Sequence, residues 1–323
     1  MIVFRVSDVQ TDECLKSNYD LAIFAAGYEE RCTNLASQID LSGIRRSLLV
    51  GFAEHAKGPQ RAENSRLLQR LLRCSEVQVA HDDERPLLDA LRQMPFPPGG
   101  NLSILVDYSS MSRSWYSGVI SFFRYLQIQS PVSLTFAYTV GEHQDLTQEN
   151  WTERSNYSVE EIISLRGLEG GPLRPKSTVA LLGLGFEWLA PISVCEQLEP
   201  DVVYPIVADP GAFPEYGPFA VARNREFLQD YTRNDNLVRA PIRSVATTYR
   251  LLAELVLPFR QDSNIVLVPM GPKPHVLASI LLANRFRELS CLYVKGARKA
   301  PIRVRPAAPK DIVATRVELI PDP

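Results

Sequence analysis

The sequence predicts an α/β protein made of two tandem domains with mainly parallel sheets, the second an internal duplication of the first. Three observations predict it. Short aliphatic and aromatic runs alternate with longer helix-compatible stretches, the pattern of βαβ units. The runs at 101–107 and 264–269 are nearly continuous in apolar residues, as strands covered on both faces should be. Four segments recur in the same order across the middle of the chain.

In the first half, strands are expected near 20–26, 46–52, 76–80, 102–107 and 132–139. The stretches AENSRLLQRLLR and RSWYSGVISFFRYLQ between them read as helices. RGLEGGPLRPKS (166–177) holds three glycines, two prolines and four charges in twelve residues, the chemistry of a linker. The domains are therefore expected at 1–168 and 176–323, joined by a linker at 169–175. In the second half the strands are expected near 178–184, 202–208, 237–243, 264–269 and 290–294. The proline-rich tail adds an edge strand at 312–319.

The duplication rests on four matches. YDLAIFAAGYEER (19–31) faces STVALLGLGFEWL (177–189), with Gly27 against Gly185 at an offset of 158. AENSRLLQRLL (62–72) faces ARNREFLQDYT (222–232), with Asn64 against Asn224 at 160. NLSILVDYSSMS (101–112) faces NIVLVPMGPKPH (264–275) at 163, and YTVG (138–141) faces YVKG (293–296) at 155. Each half then reads as a Rossmann-like open sheet. Such sheets bind ligands at the carboxyl ends of their strands, where loops feed helix N-termini.

The candidate ligand residues lie at those ends. Gly27-Tyr28-Glu29 and Gly185-Phe186-Glu187 follow the first strand of each half. Glycine permits close backbone approach, the aromatic ring can stack on a base, and the glutamate can accept from sugar hydroxyls or complement a helix dipole. Asp107, Ser109, Ser110, Ser112 and Arg113 follow a later strand, where hydroxyls and amides can wrap an anion beside a fixed cation; a helix cap needs only one of them. The matching loop offers Gly271, Lys273 and His275, with Lys273 facing Ser110 and His275 facing Ser112. Lysine is a counter-charge for phosphate, and histidine can serve as an acid or base. Asn64 and Asn224 recur near the start of matched helices, where they can touch a ligand but read first as N-caps.

Composition limits the alternatives. Thirty-five basic against 37 acidic residues give a net charge of −2, which does not suit bulk nucleic-acid binding. Five scattered cysteines without a CxxC pair argue against a zinc site or a disulfide framework. The other histidines, His55, His81 and His143, form no HExxH pattern, so no metal is expected. GxGxxG, GxSxG and P-loop motifs are absent, and no cofactor is expected. MIVFRVSDVQTDE turns polar too early for a signal peptide and no run approaches membrane-spanning length, so a cytoplasmic protein is expected.

With these loops in view, the chain resembles the CRISPR-associated Rossmann-fold (CARF-like) sensor domains, which bind cyclic oligoadenylates. VDYSSMSRSWYSGVISFFRYL is similar to their second ligand loop at Asp107, Ser109 and Arg113, and MGPKPHVLASILLANRF at Gly271 and Lys273. Gly27-Tyr28 and Gly185-Phe186 would be the first loops. The usual Thr-Gly/His core is missing, and no nuclease domain follows either half. Members of that family dimerise around the ligand, and two fused copies would supply that cradle within one chain. The resemblance implies a nucleotide sensor or regulator in antiviral defence, binding its ligand between the halves and signalling to a separate effector protein. Two alternatives stand beside it. One is a metal-independent nucleotide-processing enzyme of the phosphodiesterase or ring-nuclease kind, with Lys273, His275 and Arg113 stabilising phosphoryl charge. The other is an interaction scaffold with a degenerate site.

Overall fold

The computed structural model describes residues 2–321 except 55, 57, 97–100, 127–130, 144–157, 173–174, 234–235 and 298–303. Along the chain, β1 (Ile2–Val9) and α1 (Thr11–Lys16) precede β2 (Leu21–Ala26), α2 (Asn34–Gln38), β3 (Ser47–Phe52), α3 (Pro59–Leu72) and β4 (Glu76–Val79). There follow α4 (Arg85–Arg92), β5 (Leu102–Asp107), α5 (Arg113–Tyr125), β6 (Val132–Thr139), β7 (Gly141–His143), β8 (Ser158–Ser164), β9 (Thr178–Gly183) and α6 (Leu189–Leu198). The rest comprises β10 (Val202–Ala208), α7 (Tyr216–Arg223), α8 (Arg225–Tyr231), β11 (Val238–Ala240), α9 (Val245–Val256), β12 (Asn264–Pro269), α10 (Lys273–Arg285), β13 (Ser290–Ala297), β14 (Val304–Pro306) and β15 (Ile312–Pro321). The fold is α/β with two mostly parallel sheets. Among the described residues no helix is long and apolar enough to cross a membrane.

The chain forms two compact units. Unit 1 is Met1–His143 with Arg303–Pro323, and unit 2 is Gln144–Ile302. The sheet of unit 1 has the order β1-β15-β6-β5-β2-β3-β4, parallel from β6 to β4, with β15 antiparallel to both β1 and β6. The sheet of unit 2 has the order β11-β10-β9-β12-β13-β8, parallel except for β8. Both parallel runs have the same plan. The chain starts at a central strand (β2 or β9), steps outward twice, and returns to the other side of that strand to make β5 or β12.

The central strands are apolar on both faces because helices cover both. LAIFAA in β2 is buried at every position, and VALLG in β9 and IVLVP in β12 are buried after one half-buried residue. Helix starts follow local chemistry. Ser112 caps α5 by accepting from Trp115 N at 3.4 Å, and Ser244 caps α9 by accepting from Thr247 N at 3.0 Å. Pro59 fills the first position of α3, where its missing N–H has no helical partner to lose.

The domain boundaries expected at 1–168 and 176–323 are corrected. Residues 303–323 return to unit 1, where β15 pairs along its length with β1 and β6. The 169–175 segment is no linker. Cys291 N donates to Leu168 O at 2.9 Å, Gly171 N to Glu288 O at 3.3 Å, and Ser290 Oγ to Glu169 O at 2.8 Å. Leu165 and Leu168 are buried, so the segment docks on the start of β13 inside unit 2; residues 173–174 lie outside the described residues. The antiparallel strands are also crossed with respect to chain order. β8 follows β6 yet pairs with β13, and β15 follows β13 yet pairs with β6.

Candidate functional site

In unit 1 the loops after β2 and β5 meet at the point where the strand order reverses, the usual place for a ligand in an open α/β sheet. A side chain on Gly27 would put its Cβ 2.7 Å from both Cβ and Oγ of Ser110, so this meeting requires glycine. Asn64 holds the loop from below: its Nδ2 donates to Gly27 O at 3.0 Å and to Glu29 O at 3.1 Å. It lies buried in the middle of α3, so the expected N-cap role is corrected to that of a loop anchor. The Tyr28 ring is 43% exposed and stacks on Phe52 at 5.3 Å, while its hydroxyl donates to Glu54 O at 3.0 Å. Phe52 also meets His81 at 6.1 Å and Trp115 at 4.3 Å, giving an aromatic row along the strand ends.

Glu29 has a different task from the one expected. Its carboxylate accepts from Arg31 Nε at 2.5 Å, and Arg31 is buried, donating to Tyr138 Oη at 2.7 Å and Thr139 O at 3.2 Å. Burial works against that cation, but the Glu29 charge and Tyr138 outweigh it and hold the guanidinium protonated.

The hydroxyls after β5 are mostly committed to the backbone, which corrects the picture of a cluster wrapping an anion. Asp107 is buried and its Oδ1 accepts from Ser109 N at 3.0 Å. Ser109 Oγ accepts from Thr139 N at 2.9 Å, and Ser112 is the cap of α5. Tyr108 packs edge-on against Tyr116 and Phe136, and burial raises its hydroxyl well above the ordinary range. Ser110 differs: its Oγ is buried against Gly27 and has no hydrogen-bond partner among the described residues. Arg113, half-buried, is the first residue of α5.

Unit 2 repeats the frame. Asn224 Nδ2 donates to Gly185 O at 2.9 Å, as Asn64 does to Gly27. Asn224 precedes α8, but its side chain makes no cap there. Met270 N donates to Gly183 O at 3.1 Å, and a Cβ on Gly271 would lie 2.9 Å from Leu184 O. Phe186 turns inward, edge-on to Tyr216 at 5.6 Å and Phe219 at 5.2 Å. Glu187, half-buried, folds back so that its Oε2 would lie 3.1 Å from a Cβ on Gly185.

The loop before α10 (270–272) is two residues shorter than the one before α5 (108–112). The expected equivalences of Lys273 with Ser110 and His275 with Ser112 are thereby displaced. Lys273 is the first residue of its helix, like Arg113, and His275 is the third, like Trp115. Trp115 is fully buried and its Nε1 donates to Ala80 O at 2.8 Å, just past β4. His275 is 2% exposed and points toward the carbonyls of Ala240 and Pro241, at the end of β11. Those carbonyls favour its protonated form, yet neither ring nitrogen reaches hydrogen-bond geometry. Burial dominates and lowers its pKa to about 4. His275 is a neutral core ring, and the expectation of an accessible acid or base is corrected.

Sequence reasoning missed a buried ion pair beside this frame. Arg61 Nη2 meets Glu76 Oε1 at 2.5 Å, with Ser65 Oγ donating to Glu76 Oε2. A Cβ on Gly51 would overlap both side chains, and a glycine in a run of valine and leucine was the available signal. Among the described residues no three His, Cys, Asp or Glu side chains stand together as metal ligands; His55 lies outside them. No protein-family model matches the chain, and no curated protein matches it.

Proposed function

We propose that the protein binds a phosphate-bearing nucleotide at these strand-end junctions, and that its units are two Rossmann-like copies of one ancestral domain. The observation that carries the proposal is a frame repeated at both reversal points. A glycine whose carbonyl is held by a buried asparagine adjoins the N-terminus of a 13-residue helix that opens on a cation, Arg113 or Lys273. Helix N-termini offer N–H groups without helical partners and a partial positive charge, and a basic first residue adds to both. The shared strand order and the matched Asn–Gly bonds support the duplication.

Binding is favoured over turnover. His275, in the first turn of α10 and the histidine among the sequence candidates, is enclosed and neutral at pH 7. The cyclic character of the ligand, the sensor role, the effector partner and the antiviral setting rest on the resemblance alone.

The test is thermal unfolding of the full chain against mono-, di- and cyclic oligonucleotides. A ligand at 100 times its Kd should add about 2.7 kcal/mol of stability. Arg113→Gln should remove the gain that arises in unit 1, and Lys273→Gln the gain that arises in unit 2. Absence of stabilisation by every member of the panel would sink the proposal.

A further inference from the structure

Unit 2 carries a solvent-open surface pocket of about 450 Å³ that none of the strand-end residues line. Its wall is formed by Trp188 at the start of α6, Phe219 and Arg223 of α7, and Arg225, Glu226 and Gln229 of α8. The volume falls within the roughly 300–1,000 Å³ usual for small-molecule sites. Ala222 completes the lining; Arg225, Glu226 and Gln229 are exposed, while Trp188, Phe219 and Arg223 are half-buried. The lining combines two aromatic rings with two guanidinium groups against one carboxylate, so the wall is net positive.

Three features build this cavity. Phe219 is held edge-on by Phe186 at 5.2 Å, and Phe186 by Tyr216 at 5.6 Å, which fixes the face Phe219 presents. Asn224, fully buried, lies between Arg223 and Arg225 in sequence and donates to Gly185 O at 2.9 Å and Ala220 O at 2.8 Å. The corner that carries both arginines is thereby tied to the Gly185 loop. The chain leaves helical geometry at Asn224 (φ −98°, ψ 20°), separating α7 from α8. In unit 1 the corresponding Asn64 lies inside one unbroken helix, α3, and the residue that faces Trp188 at the Gly27–Gly185 offset of 158 is Glu30. Arg223 is half-buried, and burial lowers its pKa, the mark of a cation held partly out of water.

We infer that this cavity is a binding site for a nucleoside monophosphate, with the base against Trp188 and Phe219 and the phosphate on Arg223 and Arg225. Guanidinium groups match phosphate geometry in a way a point charge does not, and base–aromatic stacking is tolerant of base identity. The inference rests on the nucleotide reading for its ligand class, but it uses different residues from the strand-end junctions.

The experiment is titration of the full chain with AMP and UMP, followed by tryptophan fluorescence and by calorimetry, with adenosine and inorganic phosphate as controls. Of the three tryptophans, Trp115 is fully buried and Trp151 lies outside the described residues, so the Trp188→Phe variant identifies Trp188 as the reporter. Saturable quenching by AMP is expected. It should vanish in Trp188→Phe while calorimetric binding persists. Arg223→Gln should weaken binding tenfold or more, with Arg225→Gln as the exposed second variant should the first unfold. Lys273→Gln should leave this binding unchanged, whatever it does at the strand ends. Nucleotide stabilisation that depends on Lys273 or Arg113, without Trp188 quenching or Arg223 dependence, overturns this inference and spares the strand-end proposal. Phosphate binding as tightly as AMP overturns the role of the rings. No binding of any nucleotide overturns both.

Discussion

The helix after β5 and the helix after β12 both open on a cation and both bury the ring of their third residue, Trp115 in one unit and His275 in the other. They are held in place by different means. In unit 1 the five-residue loop is fixed by hydrogen bonds: Asp107 to Ser109 N, Ser109 to Thr139 N, and Ser112 to Trp115 N. In unit 2 the three-residue loop has no side-chain cap, and Pro272 at its end and Pro274 in the first turn of α10 stiffen the backbone instead. The buried ring differs in kind as well. The indole makes a hydrogen bond to Ala80 O, whereas the imidazole occupies the matching place without making one. Two junctions on one strand plan therefore have different weak points.

Trp115→Ala should break the first junction most severely. It removes a fully buried indole together with its bond to Ala80, a loss of about 3–5 kcal/mol. Urea denaturation of the full chain measures it, and a loss under about 1 kcal/mol would mean the ring does not organise the junction.

The second prediction sharpens the contrast through pH. His275 has a folded-state pKa of about 4 against an ordinary 6.5, so below pH 6.5 the unfolded chain takes up a proton that the folded chain refuses. Stability from this site is full above pH 6.5, falls as the pH drops toward 4, and levels off below. The total effect is about 3 kcal/mol for a shift between about 4 and 6.5. His275→Phe should flatten that part of the stability–pH profile, and an unchanged profile would show that the imidazole is not the group responsible.

The smallest effects come from the caps. Ser112→Ala removes the side-chain acceptor for Trp115 N and should cost about 1 kcal/mol. Pro272→Ala has no such bond to lose and should cost about 0.5 kcal/mol, through greater freedom of the unfolded chain. A larger loss at Pro272 than at Ser112 would reverse the assignment of hydrogen bonds to one junction and ring stiffness to the other.

The parallel strands were legible because their burial on two faces leaves nearly unbroken apolar runs, as in LAIFAA and IVLVP. β1 and β8 were not. IVFRVSDV alternates with charge, and SVEEIIS carries two adjacent glutamates, as strands at or near a sheet edge can. The partner of β15 is a non-local choice that no local pattern encodes. At the site, the glycines were readable as points of close approach, and Gly27 and Gly271 are such points. The hydroxyls were not readable in the same way, because Ser109, Ser110 and Ser112 look alike in sequence while two serve backbone N–H groups and one lies against Gly27. The two-residue difference in loop length was hidden because the offset of 163 that matches NLSILVDYSSMS with NIVLVPMGPKPH puts His275 opposite Ser112, whereas the helix starts put it opposite Trp115.

The crossing of β8 and β15 bears on how the protein is made. β15 lies between β1 and β6, so during synthesis these two strands must wait until residues 312–321 have emerged. Every strand of unit 2 is translated before that moment. The unit begun first is therefore the unit whose last strand is translated last, and β1 and β6 share no partner until that strand arrives.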